Sequence, residues 1–171
     1  FPKLWRTEAF AAVLNNMNFL MLYKNTFLLI LFRVLCAVLT ATMAGYAFAK
    51  MDFKGNDKLF IFLIMTMVVP SEVIIIPLFL IIKNLGWLNT FKALILPLPT
   101  AFGVFIMRQA ILDIPDDLIN AAKIDGCGRL RIFFKVVLPM VKSSIIALSI
   151  FTLSEHGTTF YGRWCLVQNR K

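Results

Sequence analysis

Long apolar stretches separated by short polar segments dominate this sequence. The stretches cover residues 26–49, 59–82, 93 to about 107, and 136–153. A helix of about 20 residues crosses the roughly 30 Å hydrocarbon core of a bilayer. Because 60% of the residues are hydrophobic and the mean hydropathy is +0.81, the chain is more apolar than a soluble domain. We therefore predict an all-α, polytopic helical membrane protein.

Prolines interrupt two of these stretches. The second stretch contains Pro70 and Pro77, which a membrane helix tolerates where neighbouring groups satisfy the freed backbone carbonyls. We predict the second span there, at residues 59–82. The third stretch contains Pro97, Pro99 and Gly103, which predict a kinked or partly broken helix.

Lysine and arginine are distributed unequally between the two sides of the predicted membrane. The segments 50–58 and 108–135 fall on the same side because two spans separate them, and they hold eight Lys or Arg against five on the other side. An excess of positive charge favours the cytoplasmic side. We therefore expect these segments in the cytoplasm, residues 1–25 outside as an extracytoplasmic segment, and a further span upstream of them.

Few residues suit catalysis or cofactor binding. Cys36, Cys127 and Cys165 have no Cys-x-x-Cys spacing and are accompanied by a single histidine, so they indicate neither a zinc site nor a disulfide framework. No glycine-rich phosphate-binding loop is visible in the sequence. The net charge of +9 is concentrated at the ends of apolar stretches, which is typical of membrane flanks and not of a nucleic-acid-binding face. We expect no enzyme activity, no cofactor, no metal and no nucleic-acid partner.

Residues 113–139 form a charged segment between apolar stretches, which we call the polar loop. Pro115 suits the first position of a helix, and the two aspartates that follow it complement the helix dipole. We predict that this helix ends at residue 124 or 125, because Gly126 readily adopts the left-handed conformation that terminates helices. A second helix is predicted to begin at Arg129 and to continue into the membrane.

The polar loop resembles a signature of the permease subunits of ATP-binding-cassette (ABC) importers, which reads Glu-Ala-Ala, three residues, Gly, nine residues and Ile-x-Leu-Pro. Ala121 and Ala122 are followed after three residues by Gly126, as in the signature. The nine-residue spacing after Gly126 leads to the segment that ends in Leu138 and Pro139. Asn120 stands in place of the signature glutamate. The resemblance implies a coupling helix that docks on a separate ATPase subunit. The site residues that it implies are Asp116, Asp117, Asn120, Ala121, Ala122, Asp125, Gly126, Leu138 and Pro139.

Further segments resemble the carbohydrate-uptake branch of that family, to which maltose and glycerol-phosphate permeases belong. Residues 44–50 are similar to its Ala-Ala-Tyr-Ala-Phe-Ala-Arg, and residues 70–79 to its Pro-x-Gln/Glu-Val-x-x-Ile-Pro-Leu-Phe. The resemblance implies an incomplete type I importer permease that moves a sugar or related solute across the bacterial cytoplasmic membrane. Its implied partners are an ATP-binding subunit dimer, a second permease subunit, an extracytoplasmic substrate-binding protein and the lipid bilayer.

Pro70 and Glu72 are candidates for the translocation path, because an acidic residue inside a span is costly and usually faces a cavity or a partner. A structural polar contact of Glu72 between helices is the favoured alternative.

The resemblance ends after Thr152. Residues 154–171 lack the apolar helix that the family has there. In a shifted reading frame, which takes the third base of each codon and the first two bases of the next, the permitted codons can encode the family's Trp-Asn-Asp-Phe-Leu-Trp run. We predict a transmembrane permease domain at residues 26–153 and an aberrant, out-of-frame tail at residues 154–171, which the codons of the gene would test. Two alternatives stay open: a secondary transporter, which would need an internal repeat and several acidic residues within its spans, and a non-functional fragment or pseudogene product of a permease.

Overall fold

Helices make up nearly all of the part of the chain that the structure describes. This structure is a computed structural model, and it describes residues 19–88, 90, 93 and 101–167. No strand occurs among these residues, so the all-α prediction is confirmed. The helices are α1 (Phe19–Lys50), α2 (Asn56–Met65) followed by a 3-10 turn (Thr66–Val68), α3 (Ser71–Asn84), α4 (Ala101–Leu112), α5 (Asp116–Ile124), α6 (Arg129–Met140) and α7 (Lys142–Val167).

Among the described helices, α1 has the length and composition to cross a bilayer by itself. Its segment Tyr23–Lys50 has 28 residues and a mean hydropathy of 2.3. The predicted first span, residues 26–49, lies entirely within it. Residues 19–25, which were predicted to be extracytoplasmic, belong to the same helix. The rest of the predicted extracytoplasmic segment lies outside the described residues.

The predicted second span, residues 59–82, is bent sharply at Pro70, which the sequence did not indicate. Helices α2 and α3 meet there at 107°. Val69 has an extended backbone with ψ 118, which is the conformation that a following proline imposes on its neighbour. Pro77, in contrast, lies inside α3 as predicted. Counted together as one bent pair, α2 and α3 have the length and apolar composition of a single membrane span.

The chain bends a second time at Val141, within the predicted fourth span. Helix α6 carries a π-helical segment, Phe133–Val137, and then meets α7 at an angle of 79°. The helix predicted to start at Arg129 does begin there and runs to Met140, and α7 begins anew at Lys142. Residues 154–167 continue α7, so the out-of-frame origin of the tail stays a prediction.

The core of the described residues lies where α1 and α4 pack against each other. A side-chain carbon added at Gly45 would lie 2.8 Å from the Arg108 backbone nitrogen and 2.9 Å from the Met107 Cβ. The two backbones therefore approach as closely as small residues allow, which is the usual way in which membrane helices associate. Gly103 of α4 is also confined, with Ala41 of α1 only 3.3 Å from its virtual Cβ. The breaks predicted at Pro97 and Pro99 lie outside the described residues.

Two polar side chains cap the C-terminal end of α1 by hydrogen bonds to its backbone oxygens. The Asn56 amide nitrogen donates to the backbone oxygens of Phe48 (3.3 Å) and Met51 (3.2 Å). The Arg108 Nε also donates to the Phe48 oxygen at 3.4 Å, and its guanidinium lies 4.1 Å from the centre of the Phe60 ring. The last carbonyls of a helix have no partner within the helix, so these contacts both satisfy α1 and tie it to α2 and α4.

Candidate functional site

The first helix of the polar loop forms where the sequence predicts it. Helix α5 spans Asp116–Ile124, with two acidic residues in its first turn. Pro115 lies one position before the helix, with ψ 133, so its predicted placement as the first helical residue is wrong by one residue. A proline there supplies no capping side chain, which leaves the amides at the start of α5 to other partners.

The end of α5 is fixed by a backbone motif. Gly126 has φ 76, which confirms the predicted left-handed conformation. The Gly126 amide donates to the Lys123 oxygen and the Cys127 amide to the Ala122 oxygen, both at 3.0 Å. This pair of bonds is the Schellman motif, which satisfies the final carbonyls and turns the chain back toward α6.

One face of α5 packs against the core. Ile119 is buried, and Ala122 and Cys127 are partly buried against the same cluster as Ile114 and Ile132. Ala122, which was predicted as a docking residue, is thus partly covered by the chain's own core, and its docking role stays a prediction. Leu138 is also partly buried, in the last turn of α6.

The opposite face of α5 is open to a partner. Ile124 is 86% exposed and Leu118 is 45% exposed, although both are large and apolar. The sequence analysis missed this pair. Its signal was present, because residues 118, 121 and 124 recur every third position, out of phase with the buried Ile119 and the partly buried Ala122. The other predicted site residues that are exposed are Asp116, Asp117, Asn120, Ala121, Asp125, Gly126 and Pro139.

A lysine from α1 holds the start of α5. The Lys50 Nζ donates to the Ile114 backbone oxygen at 2.7 Å and to the Asp116 Oδ1 at 2.6 Å. The Lys50 side chain is only 7% exposed, whereas that of Asp116 is 76% exposed. The hydrogen bond and the positive charge of Lys50 lower the pKa of the Asp116 carboxyl from its ordinary value of 3.8.

This contact predicts a dependence of stability on pH. A carboxyl with a lowered pKa in the folded chain stabilises it above pH 3.8, and this contribution is lost as the pH falls through the lowered pKa. We expect Asp116→Asn to lower the thermal unfolding midpoint near neutral pH and to have no effect in strong acid. The control is Asp117→Asn, which removes the neighbouring charge and leaves the Lys50 contact intact. Equal effects of the two variants at neutral pH would contradict the assignment.

The proposed translocation-path residues lie apart from the polar loop in the chain. Pro70 is exposed at the bend between α2 and α3. The backbone of Glu72 lies in the first turn of α3, and its side chain lies outside the described part of the structure. The role of both residues in a path stays a prediction.

Comparison with known proteins places these features in a family. Residues 18–160 match the family model described as "Binding-protein-dependent transport system inner membrane component". The chain is 40% identical over 118 residues to the arabinooligosaccharide transport system permease protein of Halalkalibacterium halodurans, covering 68% of this chain and 42% of that protein. It is 32% identical to the sn-glycerol-3-phosphate transport system permease protein of Yersinia pestis, covering 88% of this chain and 56% of that protein. The chain thus spans about half the length of the curated relatives that it matches.

A solved structure has the same fold. It is a bacterial ABC transporter involved in the import of the acidic polysaccharide alginate, with a TM-score of 0.70 and 25% identity. The match covers 76% of this chain and 46% of that one. An apolar helical fold with a short polar loop between bent helices thus defines a transport component of the inner membrane. The chain belongs to the family of binding-protein-dependent transport system inner membrane components.

Proposed function

We propose that this chain is the permease subunit of an ATP-driven importer that carries a sugar or a related solute inward. The observation that supports this most is the exposed apolar pair of α5, Leu118 and Ile124, on a helix whose ends are both fixed. Because α5 lies outside the predicted spans, this pair offers an apolar surface that a partner subunit could bury. The partner that we propose is a separate ATP-binding subunit, present as a dimer.

The substrate class is proposed from the relatives. Their names refer to arabinooligosaccharides and to sn-glycerol-3-phosphate, and the solved structure belongs to an alginate importer. These solutes are carbohydrates or closely related polyols. We propose that the complete assembly also contains a second permease subunit and an extracytoplasmic substrate-binding protein.

Alternating access would connect these parts. Closure of the ATPase dimer would move α5, and the membrane helices would tilt in response to open the path inward. ATP hydrolysis is assigned to the partner, since the chain itself has no glycine-rich phosphate-binding loop in its sequence.

Reconstituted uptake tests this function. The assembly would be placed in liposomes and given radiolabelled arabinooligosaccharide, glycerol-3-phosphate or alginate oligosaccharide. We expect uptake of one of these solutes to require both ATP on the cytoplasmic side and the binding protein outside. Uptake driven by a proton or sodium gradient without ATP would instead indicate a secondary transporter, and no uptake of any solute would favour a non-functional fragment.

A further inference from the structure

Lys50 joins two elements that are far apart in the sequence. It is the last residue of α1, and its ammonium group contacts both the Ile114 carbonyl and the Asp116 carboxylate at the start of α5. Charge-assisted hydrogen bonds of this kind are stronger than neutral ones. The carbon stem of the lysine is largely buried, so the group has little freedom to leave this position.

The base of this contact is itself rigid. The end of α1 from which Lys50 extends is tied by Asn56 to the start of α2 and by Arg108 to α4. The ammonium therefore projects from a point where three helices are joined. A displacement of α5 that keeps the Lys50 contact must move this junction as well.

Without Lys50, the start of α5 would keep its chain link to α4 and its packing against α6. Helix α4 ends at Leu112, and a link of residues 113–115 leads directly into α5. Ile114 anchors this link by its buried side chain. Lys50 donates to the Ile114 carbonyl within this link and so fixes the turn that leads into α5.

We propose that Lys50 is a positioning residue that ties the start of α5 to α1, so that movement of α5 is passed to α1 and not only to α4. The proposal rests on the proposed function, because it assigns to α1 a share of the work delivered by the ATPase partner. Lys50 itself has no contact with that partner in this proposal. It acts through Ile114 and Asp116.

The test compares Lys50→Met with Lys50→Arg in the full assembly in lipid. Methionine keeps the apolar stem and removes the charge, whereas arginine keeps a charge and several donors. Lys58→Met is the matched control, since it removes an exposed lysine from the adjoining helix α2. Two quantities are measured: hydrogen exchange of the α5 amides, and solute transported per ATP hydrolysed.

We expect Lys50→Met to accelerate exchange at the start of α5 about fivefold, as the loss of a local tether would do. The solute transported per ATP should fall about threefold, which is the size of effect expected when one ion pair is lost. The amount of bound ATPase should stay unchanged. Lys50→Arg and Lys58→Met should both resemble the wild type. A purely structural role would change the amount of assembly and leave the ratio of solute to ATP as it was.

Several results would overturn the proposal. Unchanged hydrogen exchange in Lys50→Met would show that Lys50 does not hold the start of α5. Faster exchange with an unchanged ratio of solute to ATP would show that movement of α5 is not passed to α1 through Lys50. If Lys50→Met fails to assemble, Asp116→Asn takes its place and should shift both quantities in the same direction by a smaller amount. If the wild-type assembly shows no ATP-driven uptake, the proposed function fails, and the exchange measurement still decides whether Lys50 holds α5.

Discussion

Replacing Gly45 with leucine is expected to destabilise the chain more than any other single change considered. A carbon at this position already lies within 3.0 Å of backbone atoms of α4, which cannot move aside as a flexible side chain would. The larger side chain must push α1 and α4 apart and break the packing around Met107 and Val104, both of which are buried. Overpacking of this kind costs about 3 kcal/mol. The thermal unfolding midpoint in detergent measures the loss.

Two further variants serve as a graded comparison and a control for this prediction. Gly45→Ala should cause a smaller loss than leucine but still a clear one, because its Cβ would lie 2.8 Å from the Arg108 backbone nitrogen and the two helices would have to shift apart. Ala147→Leu adds a similar volume at an exposed position of α7 and should unfold like the wild type. A Gly45→Leu chain with the wild-type midpoint would show that α1 and α4 do not pack as described.

Replacing Ile124 with aspartate is expected to weaken strongly the binding of the proposed ATP-binding subunit. Burial of an isoleucine side chain contributes about 1.5–3 kcal/mol, and a carboxylate in its place would also have to lose its water. The dissociation constant should therefore rise at least about 100-fold. Because Ile124 is 86% exposed in the chain alone, the substitution should leave the fold itself intact.

The matched control is Ile124→Val. It removes one methylene group and should weaken binding about fourfold. Binding would be measured by titrating the purified ATPase onto the detergent-solubilised chain, with circular dichroism as the check on folding. If Ile124→Asp binds the ATPase as tightly as Ile124→Val, α5 is not the docking element.

The sequence predicted the polar loop well because the signals there are local. Helix α5 ends at Ile124, one of the two predicted positions, and Gly126 adopts the predicted conformation. A helix stop depends on the conformational freedom of one residue, which is readable without knowledge of the fold. The start was wrong by one residue, since Pro115 suits either side of a helix boundary equally well in sequence.

The bends and long-range contacts were not predicted, for a physical reason. Pro70 and Pro77 lie in similar apolar surroundings in sequence, so the sequence does not indicate that the chain breaks at the first and stays helical at the second. The contact of Lys50 with Asp116 joins residues 66 positions apart, so no periodicity indicates it. The exposed Ile124 was overlooked because the loop was interpreted by its charges and not by its apolar residues.

The bend at Pro70 has a consequence for water. Helix α2 and its 3-10 turn contain 13 residues, from Asn56 to Val68, which reach roughly 20 Å at 1.5 Å per residue. If α2 enters the bilayer from the end at Asn56, the turn at Val69 and Pro70 lies inside the hydrocarbon layer. Backbone groups released at such a turn are tolerated only where protein or a water-filled cavity surrounds them. The backbone at this corner therefore requires cover within the membrane, either from a neighbouring protein element or from a hydrated vestibule.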